Sequence, residues 1–365
     1  MDVRSAVDRI IRREARIFAA LCAIAIAAFF TTRALAAHNR RTAQADAARW
    51  HAEGAESLAA GRAAEAVGDF RRASLIDRDN REYRFALADA LRRTGDNAAA
   101  LDVLLRLRES VPENVDVNVG LARLEAARAN VDDAVRYYQT AILGLWQPSQ
   151  IEQRRTLRIE LIEFLLARDS PERALAEALK LSGEIADEPA EHVRAGRLLQ
   201  RAGSPIRAEA QFVAALRRAP HDEAALAGAG GAAFAAGEYD RARDFLRRIP
   251  GGADNEQLQV SQLVLDLDPL LPRLTARERD RRLARAVEAL QSRASACASG
   301  SGVAQSLADL QHAEAAQRAP SADSLGPDFT QIAVLARQVS AACPPAQPID
   351  RAVVLIAARH RLESS

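Results

Sequence analysis

The stretch REYRFALADALRRTGDNAAALDVLLRLRESVPEN, residues 81–114, decides the fold of this chain. Its apolar residues recur at helical spacing in two runs, which are separated at Gly95 and end before Pro112. The first run contains Leu87, Ala88 and Leu91, and the second contains Ala100, Leu104 and Leu107. This pattern predicts two antiparallel helices joined by a tight turn.

The same pattern recurs with a period of 34 residues between residues 47 and 254, with a six-residue insertion before the fourth unit. The six units begin at residues 47, 81, 115, about 155, 189 and 223. Small residues stand at the eighth and twentieth positions, and a bulky residue stands at the twenty-fourth. Because one helix pair cannot bury its apolar face alone, the repetition predicts stacked pairs.

These residues resemble the tetratricopeptide repeat (TPR) family. Trp50 and Gly54 match the opening W-x2-L-G pattern of the family, although Glu53 replaces the leucine. The resemblance implies an all-α fold, a right-handed TPR superhelix, in which the first helices line a concave groove that binds a peptide or a helix of a partner protein.

The groove positions of the family can be carried over repeat by repeat. They place Phe85, Asp89, Arg92, Arg93, Arg123, Glu163, Arg197, Gln200, Arg201 and Phe234 in the groove. The excess of arginine predicts an acidic partner held by forked guanidinium contacts. The alternative is that these are solvated arginines in a chain with a single lysine, as the codon usage of a GC-rich bacterial genome would produce.

Residues 17–30 form an uncharged run that follows five arginines. If Arg33 reaches the headgroups, residues 17–37 form a transmembrane signal-anchor helix of about 30 Å. The basic residues 1–16 then stay cytoplasmic, and the protein is single-pass in a bacterial inner membrane with its repeats periplasmic. The alternative is a signal peptide cleaved near Ala34-Leu35-Ala36, which would release a soluble protein.

Residues 255–365 stay helical in pattern but lose the period, which predicts a C-terminal helical cap over the last repeat. We expect a helix opened by a capping box at Thr275 and Glu278 and broken at residues 299–302, then helices over residues 303–316, 329–342 and 350–361. Cys297 and Cys343 are disulfide candidates in an oxidising compartment. The alternative is two buried thiols.

The sequence offers no pattern for chemistry. The six histidines lack metal-ligand spacing, no glycine-rich phosphate loop occurs, and the net charge of +1 argues against nucleic acid. We therefore expect no catalytic residues, no cofactor and no metal. The predicted function is a membrane-tethered protein-binding scaffold in a cell-envelope complex for polysaccharide export, pilus assembly or secretion. The alternatives are ligand binding by the C-terminal region and a self-assembling structural solenoid.

Overall fold

The computed structural model describes residues 3–297 and 325–361, which form helices joined by turns and short loops, without a strand. The chain divides into an N-terminal unit, Met1–Arg154, and a C-terminal unit, Arg155–Ser365. Helices α1 to α6 are Val3–Ala59, Ala63–Ile76, Arg81–Arg93, Asn97–Ser110, Val115–Ala127 and Val131–Ile142. Helices α7 to α12 are Ile151–Ala167, Pro171–Ser182, Pro189–Arg201, Pro205–Arg218, Glu223–Ala235 and Tyr239–Leu246. Beyond them, α13 is Glu256–Leu267, α14 is Ala276–Cys297, α15 is Leu325–Ala342 and α16 is Pro348–Arg359.

The turn between the two helices of a pair ends at a residue with left-handed backbone conformation. This holds for every pair from α1–α2 to α11–α12. These residues are Gly61, Gly95, Ala129, Asp169, Gly203 and Gly237, with φ of 78°, 84°, 61°, 52°, 78° and 78°. They lie 34 residues apart, except that 40 residues separate Ala129 from Asp169 because of the insertion. Glycine adopts this conformation without penalty, whereas Ala129 and Asp169 adopt it at some energetic cost.

Close approach of the helices explains the glycines at the eighth position. A Cβ built on Gly54 would lie 2.8 Å from the Phe70 ring, and one on Gly196 would lie 2.8 Å from the Phe212 ring. Phe212 is fully buried, and a Cβ on Gly228 of the next repeat would lie 2.3 Å from the same ring. The aromatic ring therefore packs between two glycine backbones, one from its own repeat and one from the next.

A buried ion cluster joins the fourth helix pair. Arg158 on α7 donates to Glu177 on α8 at 2.6 Å and to Glu184 at 3.0 Å, and the side chains of Arg158 and Glu177 are 7% and 4% exposed. Lys180, the only lysine, also contacts Glu177 at 2.8 Å. The sequence does not distinguish Arg158, because it is one arginine among many.

Helix α1 is continuous from Val3 to Ala59, so the apolar N-terminal run and the first helix of repeat 1 form one helix of 57 residues. Its part Leu21–Ala59 contains a stretch long and apolar enough to cross a bilayer, and that stretch is not packed against the rest of the protein. Large apolar side chains such as Phe18, Ile24 and Phe30 are more than half exposed. Burial begins at Ala47, which is fully buried against repeat 1.

Residue types that favour helix caps do not always cap in this structure. Ser170 precedes α8, whose first residue is Pro171, but the Ser170 hydroxyl caps no backbone amide and instead donates to the Arg168 carbonyl at 3.4 Å. At α14 only half of the expected capping box is present. The Thr275 hydroxyl accepts from the Glu278 amide at 3.3 Å, whereas the Glu278 carboxylate pairs with Arg281 and Arg282.

Helices α13 to α16 share one apolar core. Its fully buried members include Val264, Leu290, Phe329 and Ile356. Helix α15 begins at Leu325, four residues before the expected start, and α16 covers residues 348–359. The expected break at residues 299–302 and the expected helix at residues 303–316 lie outside the described residues.

The structure describes one of the two cysteines proposed to pair in the C-terminal region. Cys343 is buried and disulfide-bonded, whereas Cys22 on α1 is free and exposed. Cys297 is the last residue of α14, and its side chain lies outside the described residues.

Candidate partner groove

The ten groove positions lie on the first helices of repeats 2 to 6, five in each compact unit. They occupy the fifth, ninth, twelfth or thirteenth position of their repeats, and residues at this spacing share one face of a helix. In the N-terminal unit Phe85 is half-buried on α3, and Arg123 is exposed on α5. The other three N-terminal residues form a cluster on α3.

That cluster centres on Asp89, which accepts from Arg92 Nη2 at 2.7 Å and from Arg93 Nε at 2.9 Å. Burial alone would raise the pKa of the Asp89 carboxyl, but hydrogen bonds from Arg92 and Arg93 outweigh it and lower this pKa. Asp89 is therefore ionised at neutral pH. One carboxylate offsets two guanidinium groups, so the cluster presents a net positive charge to the groove face.

In the C-terminal unit the structure brings Glu163 and Arg201 together. Arg201 Nη1 on α9 lies 2.7 Å from the Glu163 carboxylate on α7, and about half of each side chain is exposed. Arg197, one turn earlier on α9, is exposed and has no ion-pair partner in the part of the chain that the structure describes. Of the two groove arginines in this unit, Arg197 is therefore the one whose charge no described carboxylate offsets.

Gly231 lies in a polar part of the groove face that the sequence pattern did not predict. It occupies the ninth position of repeat 6, where repeats 2 to 5 carry Asp89, Arg123, Glu163 and Arg197. A Cβ on Gly231 would lie 3.5 Å from Gln200 Nε2 and 3.5 Å from Gln257 Oε1. Gly231 is itself buried, and its missing side chain lets the two amide groups lie beside the helix backbone. The register alone could have identified Gly231, but Gln257 lies beyond the last repeat.

Phe234, the last of the ten residues, contacts the C-terminal helices. It is half-buried and packs against the core that α13 to α16 share. Its ring meets Tyr239 edge to face, with centroids 5.5 Å apart. The C-terminal helices therefore cover part of the groove face at repeat 6.

Among the described residues, no three His, Cys, Asp or Glu side chains are grouped so that they could hold a metal ion. In each unit the candidate site is a set of charged and polar side chains on the first helices of its repeats, with guanidinium and carboxylate groups in both units and amide groups in the C-terminal unit. Such a surface suits recognition of a polypeptide by charge and hydrogen bonding.

These features define an all-α protein of stacked helix-turn-helix repeats, a class that serves as a protein-interaction scaffold and not as an enzyme. Family models described as tetratricopeptide repeat match residues 51–115, 85–150 and 199–265. The chain therefore contains tetratricopeptide repeats within residues 51–150 and 199–265, as its sequence pattern predicted.

Solved structures of TPR proteins match the chain at low sequence identity and with low TM-scores. YrrB, a TPR protein with an unusual peptide-binding site, is 15% identical; the match covers 53% of this chain and 97% of YrrB, with a TM-score of 0.39. A TPR protein from Parabacteroides merdae is 11% identical, with coverage of 85% and 98% and a TM-score of 0.39. Pseudomonas aeruginosa PilF is 16% identical, with coverage of 61% and 98% and a TM-score of 0.38. No curated protein matches the chain.

Proposed function

We propose that this protein is a membrane-tethered scaffold that binds a partner protein in its groove during assembly or maintenance of a bacterial cell-envelope complex of the polysaccharide-export, pilus or secretion type. Helix α1 is the main support for the membrane tether, because its apolar stretch is exposed and continues without a break into repeat 1. Exposed apolar side chains all round a helix favour a lipid environment over water.

The proposed topology puts the N-terminus in the cytoplasm and the repeats in the periplasm. The arginines before the apolar run support this orientation, and the disulfide at Cys343 supports an oxidising compartment for the C-terminal unit. We also propose that Cys297 is the partner of Cys343. A peptide map of the unreduced protein should contain the linked Cys297 and Cys343 peptides, and a map in which both thiols alkylate would contradict the pairing.

The tether is tested by extracting membranes with alkaline carbonate and by sequencing the N-terminus of the mature protein. An anchored protein should stay in the pellet and begin before residue 17. A mature chain that begins near residue 37 and appears in the soluble fraction would instead support the cleaved signal peptide.

The partner is proposed to be an acidic segment of another protein, and Arg197 is proposed to be its main charge contact in the C-terminal unit. Arg92 already pairs with Asp89, and Arg201 already pairs with Glu163. Reversing the charge of either arginine would therefore also disturb a carboxylate of the protein itself. Arg197→Glu avoids that difficulty, because no described carboxylate pairs with Arg197. Loss of a charge-assisted hydrogen bond weakens binding by about 1.5–3 kcal/mol, or roughly 10- to 150-fold.

The matched control is Arg207→Glu. Arg207 lies on α10, the second helix of repeat 5, and it is also exposed and unpaired among the described residues. After purification from detergent, partners should be lost with Arg197→Glu and kept with Arg207→Glu. If both variants retain the same partners, the groove does not bind them through Arg197.

A further inference from the structure

We infer that repeat 1 itself lies on the bilayer and binds anionic phospholipid headgroups. Its lipid-binding surface consists of arginines of α1 just beyond the apolar run and of the exposed end of α2. The inference rests on the proposed membrane tether and goes beyond it, because it assigns a second lipid contact to the repeat. It also gives a role to arginines on the side of the bilayer where the positive-inside rule expects few.

The part of α1 that leaves the bilayer is basic. Residues 33–45 contain no acidic residue, and Arg33, Arg40 and Arg41 are exposed without an ion-pair partner among the described residues. Arg40 and Arg41 lie about 4.5–6 Å along the helix beyond Ala37, the proposed end of the span. The headgroup layer extends about 5–8 Å beyond the hydrocarbon on each side. Both guanidinium groups therefore lie at the level of the lipid phosphates.

The height of repeat 1 above the bilayer is set by the same helix. Helix α1 continues unbroken to Ala59, and Ala47 is fully buried in a small core that it shares with Ala73 of α2. Ala47 lies about 15 Å along the helix beyond Ala37. The span and the first helix of repeat 1 are therefore one rigid element and move together.

Helix α2 runs back toward the bilayer. Gly54 lies against Phe70, and Ala47 shares its core with Ala73, so α2 is antiparallel to the last part of α1. Ile76, the last residue of α2, follows Ala73 by three residues and lies about 4.5 Å nearer to the bilayer. The end of α2 is therefore about 10 Å from the hydrocarbon when α1 stands upright.

That end of α2 is apolar and exposed. Leu75 is 61% exposed and Ile76 is 40% exposed. Packing of the repeats does not require apolar residues at these two positions, since repeat 2 carries Glu109-Ser110 there and repeat 5 carries Arg217-Arg218. An exposed apolar pair next to basic residues is typical of a surface that inserts among lipid headgroups.

A modest tilt of α1 brings the apolar pair into the headgroup layer. Transmembrane helices tilt by about 20° on average, and packed helices lie roughly 10 Å apart. A tilt toward α2 therefore lowers the end of α2 by about 3–4 Å, to about 6–7 Å from the hydrocarbon. The side chains of Leu75 and Ile76 then lie at the same level as the guanidinium groups of Arg40 and Arg41.

The register of α1 favours this direction of tilt. Arg40 lies seven residues before Ala47 and fourteen before Gly54, the residues that pack against α2, so all three share one side of α1. The loop after α2 adds no net attraction, because its exposed Arg78 lies between Asp77 and Asp79. Helix α1 therefore supplies the charge of the surface, and α2 supplies its apolar contact.

The test uses the full chain in liposomes of phosphatidylcholine, alone or mixed with phosphatidylglycerol. A benzoylphenylalanine photo-crosslinker replaces Ile76, and in a control protein it replaces Ala60, which is exposed in the turn at the other end of the α1–α2 pair. Mass spectrometry should find lipid adducts at position 76, at least about fivefold more with phosphatidylglycerol present, and far fewer at position 60. In the mixed liposomes Arg40→Gln/Arg41→Gln should lower the yield at position 76 by at least about fivefold, whereas Arg40→Lys/Arg41→Lys should preserve it.

The lipid-binding surface is overturned by an absence of lipid adducts at position 76, by equal yields in the two kinds of liposome, or by a yield that Arg40→Gln/Arg41→Gln leaves unchanged. Crosslinks from position 76 to a second copy of the chain would also overturn it, because a protein and not lipid would then cover Leu75 and Ile76. Carbonate extraction judges the tether separately. A protein that stays in the pellet but forms no adducts would retain the tether without this surface, whereas a mature chain that begins near residue 37 would exclude both.

Discussion

Gly228→Ala tests the packing rule that builds the repeats. Alanine in place of glycine inside a helix normally stabilises a protein by about 0.5–1 kcal/mol. At Gly228, however, the new Cβ would lie 2.3, 2.5 and 2.6 Å from three atoms of the Phe212 ring, closer than real Cβ atoms approach. The ring cannot move away, because Gly196 lies against it as well.

Overpacking of a core costs about 1–3 kcal/mol, so the net effect of Gly228→Ala should be a destabilisation of about 1–2 kcal/mol. Gly68→Ala on α2 is the matched control, because a Cβ there would meet nothing within 4 Å. That variant should be more stable than the parent by about 0.5–1 kcal/mol. The two identical substitutions should therefore have opposite signs.

Hydrogen exchange measured by mass spectrometry suits this test, because stacked repeats can unfold locally and a single global transition is not assured. Amides of α10 and α11 should exchange faster in Gly228→Ala, and amides of α2 should exchange more slowly in Gly68→Ala. Phe212→Leu in the Gly228→Ala background should restore part of the protection. Unchanged or slower exchange of α10 and α11 in Gly228→Ala would refute the packing argument.

Three further predictions concern single residues. Arg158→Met should destabilise the C-terminal unit by about 2–4 kcal/mol, because Glu177 stays buried after losing its pairing with Arg158. Urea denaturation checks this, and the Arg158→Met/Glu177→Met double variant should recover stability. Ala129→Gly should stabilise the N-terminal unit by about 0.5–1 kcal/mol by relieving left-handed strain, and a lower urea midpoint would contradict it. Because the pKa of Asp89 is lowered in the folded state, its stabilising effect is present above the unfolded pKa of about 3.9 and is lost as pH falls through the folded pKa. In an NMR titration Arg93→Gln should raise the pKa of Asp89, and an unchanged pKa would mean that the guanidinium does not act on it.

Local patterns were enough to predict the repeats. The 34-residue period identified the helix pairs because each pair repeats the same steric needs: a small residue where helices touch and a bulky one where they diverge. The ion pairs of Asp89 with Arg92 and Arg93 were also within reach of the sequence, since they join residues three and four apart on one helix. The exceptions at Ala129 and Asp169 show that the turn conformation holds even without glycine, because the flanking helices impose it.

Contacts between distant residues depended on the tertiary structure. Glu163 and Arg201 are 38 residues apart, and only the stacking of consecutive repeats makes them neighbours. Helix packing likewise decides that Arg158 is buried and that Phe234 packs against the core of the C-terminal helices. The composition of a single helix specifies neither contact. The sequence by itself determined the repeat architecture through short-range periodicity, whereas tertiary packing decided which charges remain for a partner and where the groove meets the C-terminal helices.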